Sequence, residues 1–155
     1  MKYKPASGKF GESLTLHHSN AALQLQRVHP KGQDHRHTLN VEIARAVSFE
    51  PNWADKLVIQ VSLTELPEIT AVLLGLLPGT QNKYHGENRN KGYEVTNTKD
   101  DRTWAIFEPG TKKFFNFTPE EAFWLADFAL GALAANTHGR TLSDVMNLLK
   151  ITYRR

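Results

Sequence analysis

Apolar and polar residues alternate through most of the first sixty positions. In "SLTLHH" (13–18) Leu14 and Leu16 share one side, and in "ALQLQRV" (22–28) Leu23 and Leu25 oppose Gln24 and Gln26. "HSNA" supplies a turn between the two. Beyond the polar "HPKGQDH", the stretch "TLNVEIARAV" (38–47) groups Leu39, Val41 and Ile43. After "FEPNWAD", "KLVIQVSL" (56–63) aligns Leu57, Ile59, Val61 and Leu63. A period of two marks half-buried strands. Connections this short favour an antiparallel meander of four.

From Thr64 the spacing lengthens. Leu66, Ile69, Leu73 and Leu76 or Leu77 recur at helical intervals, with Thr64 the expected N-cap. Pro67 falls in the first turn, where its missing N–H has no helical partner. "PGTQ" ends this helix. "KYHG" and "GYEVTNT" then read as the arms of a hairpin, and "RTWAIFE" and "KFFNF" as two more strands, with "NTKDD" and "PGTK" as turns. The second helix starts sharply, with Thr118 as N-cap, Pro119 at N1 and Glu121 closing a capping box, and Gly139 is its expected C-cap. A third, "TLSDVMNLLKI", opens with Thr141 and Asp144 and carries a stripe of Leu142, Val145, Met146 and Leu149. The expected fold is α+β: a duplicated ββββα unit with two antiparallel four-stranded sheets, plus a C-terminal helix. Residues 1–79 form the first repeat, 80–139 the second and 140–155 the tail, all within one domain.

Composition narrows the setting. A chain of 155 residues, 40% hydrophobic and 23% charged, suits one ordinary globular domain. The longest apolar run, "ITAVLLGLLPG", is interrupted by Gly75 and Pro78 and is too short to span a bilayer. The N-terminus has no apolar core or cleavage site, so no secretion leader is expected and a cytoplasmic location is. Without cysteine there is no disulfide, thiol nucleophile or Cys-ligated zinc. The net charge is only +3 but segregated. Residues 1–40 set Lys2, Lys4, Lys9, Arg27, Lys31 and Arg36 against Glu12 and Asp34, whereas residues 41–80 are acidic. A basic surface of this kind suits a polyanionic partner.

Gripping a single strand takes cations along the phosphates and flat faces for the bases. Trp104 belongs by strand parity to a core with Val95 and Ile106. Tyr84, Tyr93, Phe107 and Phe114 are the stacking candidates, the other destination for surplus aromatics being a protomer interface. Lys83, Arg89, Lys91, Arg102, Lys112 and Lys113 flank them, and Arg27, Lys31 and Arg36 extend the set of phosphate-binding candidates. Gln24, Gln26, Asn40 and Gln60 lie on polar strand faces, suited to base edges or to water.

Four strands and a helix, twice over, resemble the Whirly fold of the plant Whirly proteins and the trypanosome guide-RNA-binding proteins. The positive-cofactor coactivator and the Pur repeats are more distantly similar. The resemblance covers residues 10–138 and implies single-stranded DNA or RNA binding, without catalysis or cofactor. It also implies a homo-oligomer, dimer or tetramer, and a role in replication, recombination or transcription control. Plant members carry "KGKAAL" on an early strand; Asn20-Ala21-Ala22-Leu23 keeps its small residues and Leu but neither lysine. One alternative is enzymatic. In "HRHTLNVE", His35, His37 and Glu42 match the H-x-H-x4-E core of a cupin-like metal site, although the glycine expected after the Glu is missing. No serine elbow, P-loop or dinucleotide glycine pattern occurs.

Overall fold

The computed structural model describes residues 1–8 and 10–153; Lys9 lies outside them. The first sheet holds β1 (Lys2–Lys4), β2 (Ser13–His17), β3 (Ala21–Val28), β4 (Thr38–Val47), β5 (Glu50–Pro51) and β6 (Leu57–Gln60), all antiparallel. Its register follows the apolar period. Leu14 stands opposite Leu25, Leu25 opposite Val41 and Val41 opposite Ile59, and Leu16, Leu23, Ile43 and Leu57 form the adjacent row. All eight are buried. A one-residue slip would turn each of them to solvent, so the pattern fixes the pairing.

The sheet thus has six strands where four were expected. β1 pairs with β2, and β5 folds back on the end of β4 through Ser48 and Phe49, both at positive φ. Strands of three and two residues are too short to show an alternation.

The helix α1 (Leu66–Leu73) buries Leu66, Ile69, Val72 and Leu73. Its start is held by Ser62 rather than Thr64. The Glu65 N–H donates to the Ser62 hydroxyl, and the Ser62 N–H donates back to the Glu65 carboxylate at 3.0 Å. The second sheet is a meander of β7 (Gly79–His85), β8 (Lys91–Asn97), β9 (Arg102–Glu108) and β10 (Thr111–Asn116). β7 begins at Gly79, inside the "PGTQ" expected only to end the helix, a start the sequence does not show because "GTQN" contains no apolar residue to reveal a strand. One face of this sheet buries Tyr93, Val95, Trp104, Ile106 and Phe115 in the same core as the first sheet's leucines.

The helix α2 (Pro119–Ala135) begins with the capping box of Thr118 and Glu121, and α3 (Leu142–Thr152) with that of Thr141 and Asp144. α2 ends four residues before Gly139. Asn136 terminates it and turns its side chain across the fold, accepting from the His37 N–H at 2.7 Å and donating to the His37 carbonyl at 2.8 Å. On α3, Val145 and Leu149 are buried while Leu142 is exposed. α1 packs on α2, β7 and β8, and α2 packs also on β2, β4 and α3. β10 crosses against β3 and β4. No helix among the described residues is long and apolar enough to cross a membrane.

Candidate nucleic-acid interface

Because one face of the second sheet is buried, every second residue of its strands points away from the core. Phe107 stands opposite Gly92 on one side and Lys112 on the other, while Phe114 stands opposite Ala105. The two phenylalanines therefore share the outer face as diagonal neighbours, about 7–8 Å apart by ordinary strand geometry. Phe114 is 51% exposed. Phe107 is half-buried because it lies over Gly92, where a Cβ would fall 2.6 Å from the Asn82 carbonyl oxygen and collide with the Phe107 ring. Glu94, Thr96, Asp101, Thr103 and Lys112 border Phe114 in a shallow concavity. The Lys112 ammonium lies 3.6 Å from the Glu94 carboxylate, and Arg45 reaches from β4 to donate to the Lys112 carbonyl.

The β7–β8 hairpin presents a second group. The register breaks between Asn82 and His85, and there Tyr84 adopts φ of 72° and is 70% exposed. A bulky residue in the left-handed region marks local strain. Lys83 and Arg89 are exposed beside it. His85 folds the other way, to the Glu65 carboxylate at 2.9 Å, and so ties the hairpin to the start of α1. Lys91 lies lower and half-buried, 3.5 Å from Glu108.

Two candidates are not at the surface. Tyr93 is fully buried, accepting from the Asn82 amide at 2.7 Å. Burial, with the Glu65 carboxylate adding, holds its phenol far above the usual range. Lys113 is 2% exposed. Its ammonium meets the Asp55 carboxylate at 3.2 Å and also the Asp55 carbonyl. Both were legible by parity: Tyr93 shares its strand face with Val95, and Lys113 shares its face with Phe115.

Other cations are engaged as well. Arg102 is half-buried and donates to the Lys99 carbonyl, Arg36 donates to the Asn136 carbonyl at 3.1 Å, and Arg27 pairs with Glu12 at 3.0 Å. Lys31 is exposed in the β3–β4 loop. Arg27 pairs with Leu39, six residues along β4 from Arg45, hence about 20 Å from the corner that β10 occupies. The basic N-terminal residues and the second sheet's cations do not merge into one track.

The cupin-like triad is not assembled. His35 is exposed in a loop, His37 accepts from Arg27, and the Glu42 carboxylate is held by Lys56 at 2.8 Å. Among the described residues no three His, Asp or Glu side chains gather as a metal site.

No family model and no curated protein matches the chain. On the outer face of the first sheet, Ser13, Gln26, Asn40 and Gln60 form one row across four strands, with Thr15, Gln24 and Glu42 in the next. The amides expected on a polar face are thus brought into register. Sequence reasoning missed Phe123 and Trp124, which are exposed on α2 with ring centroids 5.0 Å apart. α2 is apolar nearly all round, so periodicity gives no sign of which residues emerge.

A titratable network closes the far end of the first sheet. Tyr3 donates to Glu12 at 2.6 Å, Glu12 pairs with Arg27, and the Arg27 Nε donates to the His37 Nδ1 at 3.3 Å. Burial, then the Arg27 and His29 neighbours, hold His37 below its usual range. Burial pushes Glu12 up, but hydrogen bonds from Tyr3 and Arg27 outweigh it and leave the carboxyl below its usual range. Each group takes up a proton less readily folded than unfolded. The stability each adds is present above its unfolded pKa, about 6.5 for His37 and about 4.3 for Glu12, and is lost as pH falls through the lower folded value. The N-terminal strap (residues 5–8 and 10–12) is expected to loosen in acid. Protection of the Arg27 amide, which donates to the Glu12 carbonyl, should fall as pH drops below about 6.5 and fall further below about 4.3. Constant protection would show that the network does not hold the strap.

Proposed function

We propose that the protein binds single-stranded nucleic acid, DNA in the first instance and RNA as the alternative strand, without catalysis and without a cofactor. The observation that carries this is the Phe107–Phe114 pair on the outer face of the second sheet, bordered by Lys112 and Arg45. Two flat rings at sheet spacing can stack bases, and the adjacent cations can meet phosphates. The exposed hairpin group of Lys83, Tyr84 and Arg89 repeats the same chemistry at the sheet's edge.

The element order supports a Whirly-like reading of the chain as a duplicated ββββα unit. β2, β3, β4 and β6 precede α1, and β7 to β10 precede α2. A role in replication, recombination or transcription control belongs to that reading. So does a homo-oligomer, for which the exposed Phe123, Trp124, Leu148 and Ile151 on α2 and α3 offer apolar surface.

The test is a fluorescence-anisotropy titration with oligo(dT) and with matched duplex at two salt concentrations. Single strand is expected to bind tighter, with log K falling by about 0.7 per phosphate contact for each decade of salt. Equal affinity for duplex would overturn the reading.

A further inference from the structure

The N-terminal strap roofs a concavity of about 700 Å³, within the range of small-ligand sites. Phe10 forms one wall. It is exposed, and its backbone exchanges hydrogen bonds of 2.9 and 3.0 Å with that of Ser7. Gly11 lets the strap lie close to β3, since a Cβ there would run into the Arg27 carbonyl.

The lining also includes His29 and His37, with ring centroids 4.8 Å apart. Their neighbours fix which nitrogen bears hydrogen. The Arg36 carbonyl can only accept, so the His29 Nδ1 donates to it at 2.6 Å, and in the neutral ring Nε2 is left as an acceptor. The Arg27 Nε can only donate, so the His37 Nδ1 accepts and Nε2 bears the hydrogen. A metal pair is thereby disfavoured, because a protonated Nε2 cannot ligate. Burial together with Arg27 and His29 keeps the His37 ring neutral below the usual histidine range. Among the described residues neither Nε2 has a hydrogen-bond partner.

An acceptor beside a donor is complementary to the Watson–Crick edge of a base, and an aromatic wall suits the base's face. Gln26, on the same rim, adds an amide with both functions. We propose that this concavity binds a single nucleobase, stacked on Phe10 with its edge on His29 and His37. The site shares no residue with the Phe107–Phe114 face, so it stands or falls separately. The base can come from a free mononucleotide or from a bound strand.

The experiment is an NMR titration with AMP, CMP, GMP and UMP, with ribose 5-phosphate as control, followed by competition with an oligonucleotide. At least one mononucleotide is expected to shift the His29 and His37 ring resonances saturably, and ribose 5-phosphate to leave them unmoved. Phe10→Ala, at an exposed position that leaves the fold intact, should weaken binding roughly tenfold. His37→Ala should abolish it. Displacement by the oligonucleotide assigns the base to a strand, and its absence assigns it to a free nucleotide. The proposal is overturned if no mononucleotide shifts the rings, if ribose 5-phosphate shifts them equally, or if binding survives both the Phe10 and His37 variants.

Discussion

Replacing Phe107 and Phe114 together by alanine is expected to lower affinity for oligo(dT) by about thirtyfold or more. Each base stacked on an aromatic ring contributes about 1–3 kcal/mol, so losing two costs at least about 2 kcal/mol, and 1.4 kcal/mol is a factor of ten. The slope of log K against log salt should hardly change, since stacking releases few counterions. The single variants separate binding from folding. Phe114 is half exposed, so Phe114→Ala removes little packing and its effect belongs to the ligand. Phe107 rests on Gly92, and Phe107→Ala uncovers that strand as well. Its loss of affinity must therefore be read beside a thermal melt. A folded double variant with unchanged affinity would assign both rings to a protein interface.

The placement of these rings shows how far the sequence alone can be taken. Parity put Trp104 in the core and Phe107 and Phe114 on the other side, and the register agrees. The same parity assigns Tyr93 to the Val95 face and Lys113 to the Phe115 face. Their polar groups suggested a surface role, yet each is enclosed and finds a partner: Asn82 for the phenol and Asp55 for the ammonium. Those partners lie eleven and fifty-eight residues away, a separation that no local pattern encodes. The short strands β1 and β5 were hidden for a different reason. They owe their existence to the longer strands they pair with, not to any alternation of their own. The His29–His37 pair was hidden likewise. "HPKGQDHRH" reads as a polar loop, and only the closure of β3 on β4 brings its two ends together.

The pairing of Lys113 with Asp55 leads to an asymmetric result for stability. Asp55→Ala is expected to destabilise the fold by about 1–2 kcal/mol, between the cost of losing an exposed ion pair and that of breaking a buried one. The figure is intermediate because Lys113 is enclosed whereas the Asp55 side chain is 73% exposed, so water already screens part of the attraction. The backbone carbonyl of residue 55 also remains as an acceptor. What the variant leaves behind is an ammonium, almost wholly enclosed, without its counter-charge. Lys113→Met is expected to behave differently and to stay within about 1 kcal/mol of the parent, because the exposed aspartate returns to water and the thioether chain fills the same channel. Combining the two changes should recover most of what Asp55→Ala loses. Urea denaturation of the three variants reads all of this directly. An Asp55→Ala protein as stable as the parent, or a Lys113→Met protein that is the less stable of the two, would show that the pair does not bind β10 to the segment before β6. The same Lys113→Met protein bears on the interface. Its ammonium is enclosed against Asp55, so oligo(dT) affinity and salt slope should match the parent, whereas a slope flattened by about 0.7 would return Lys113 to the phosphate contacts.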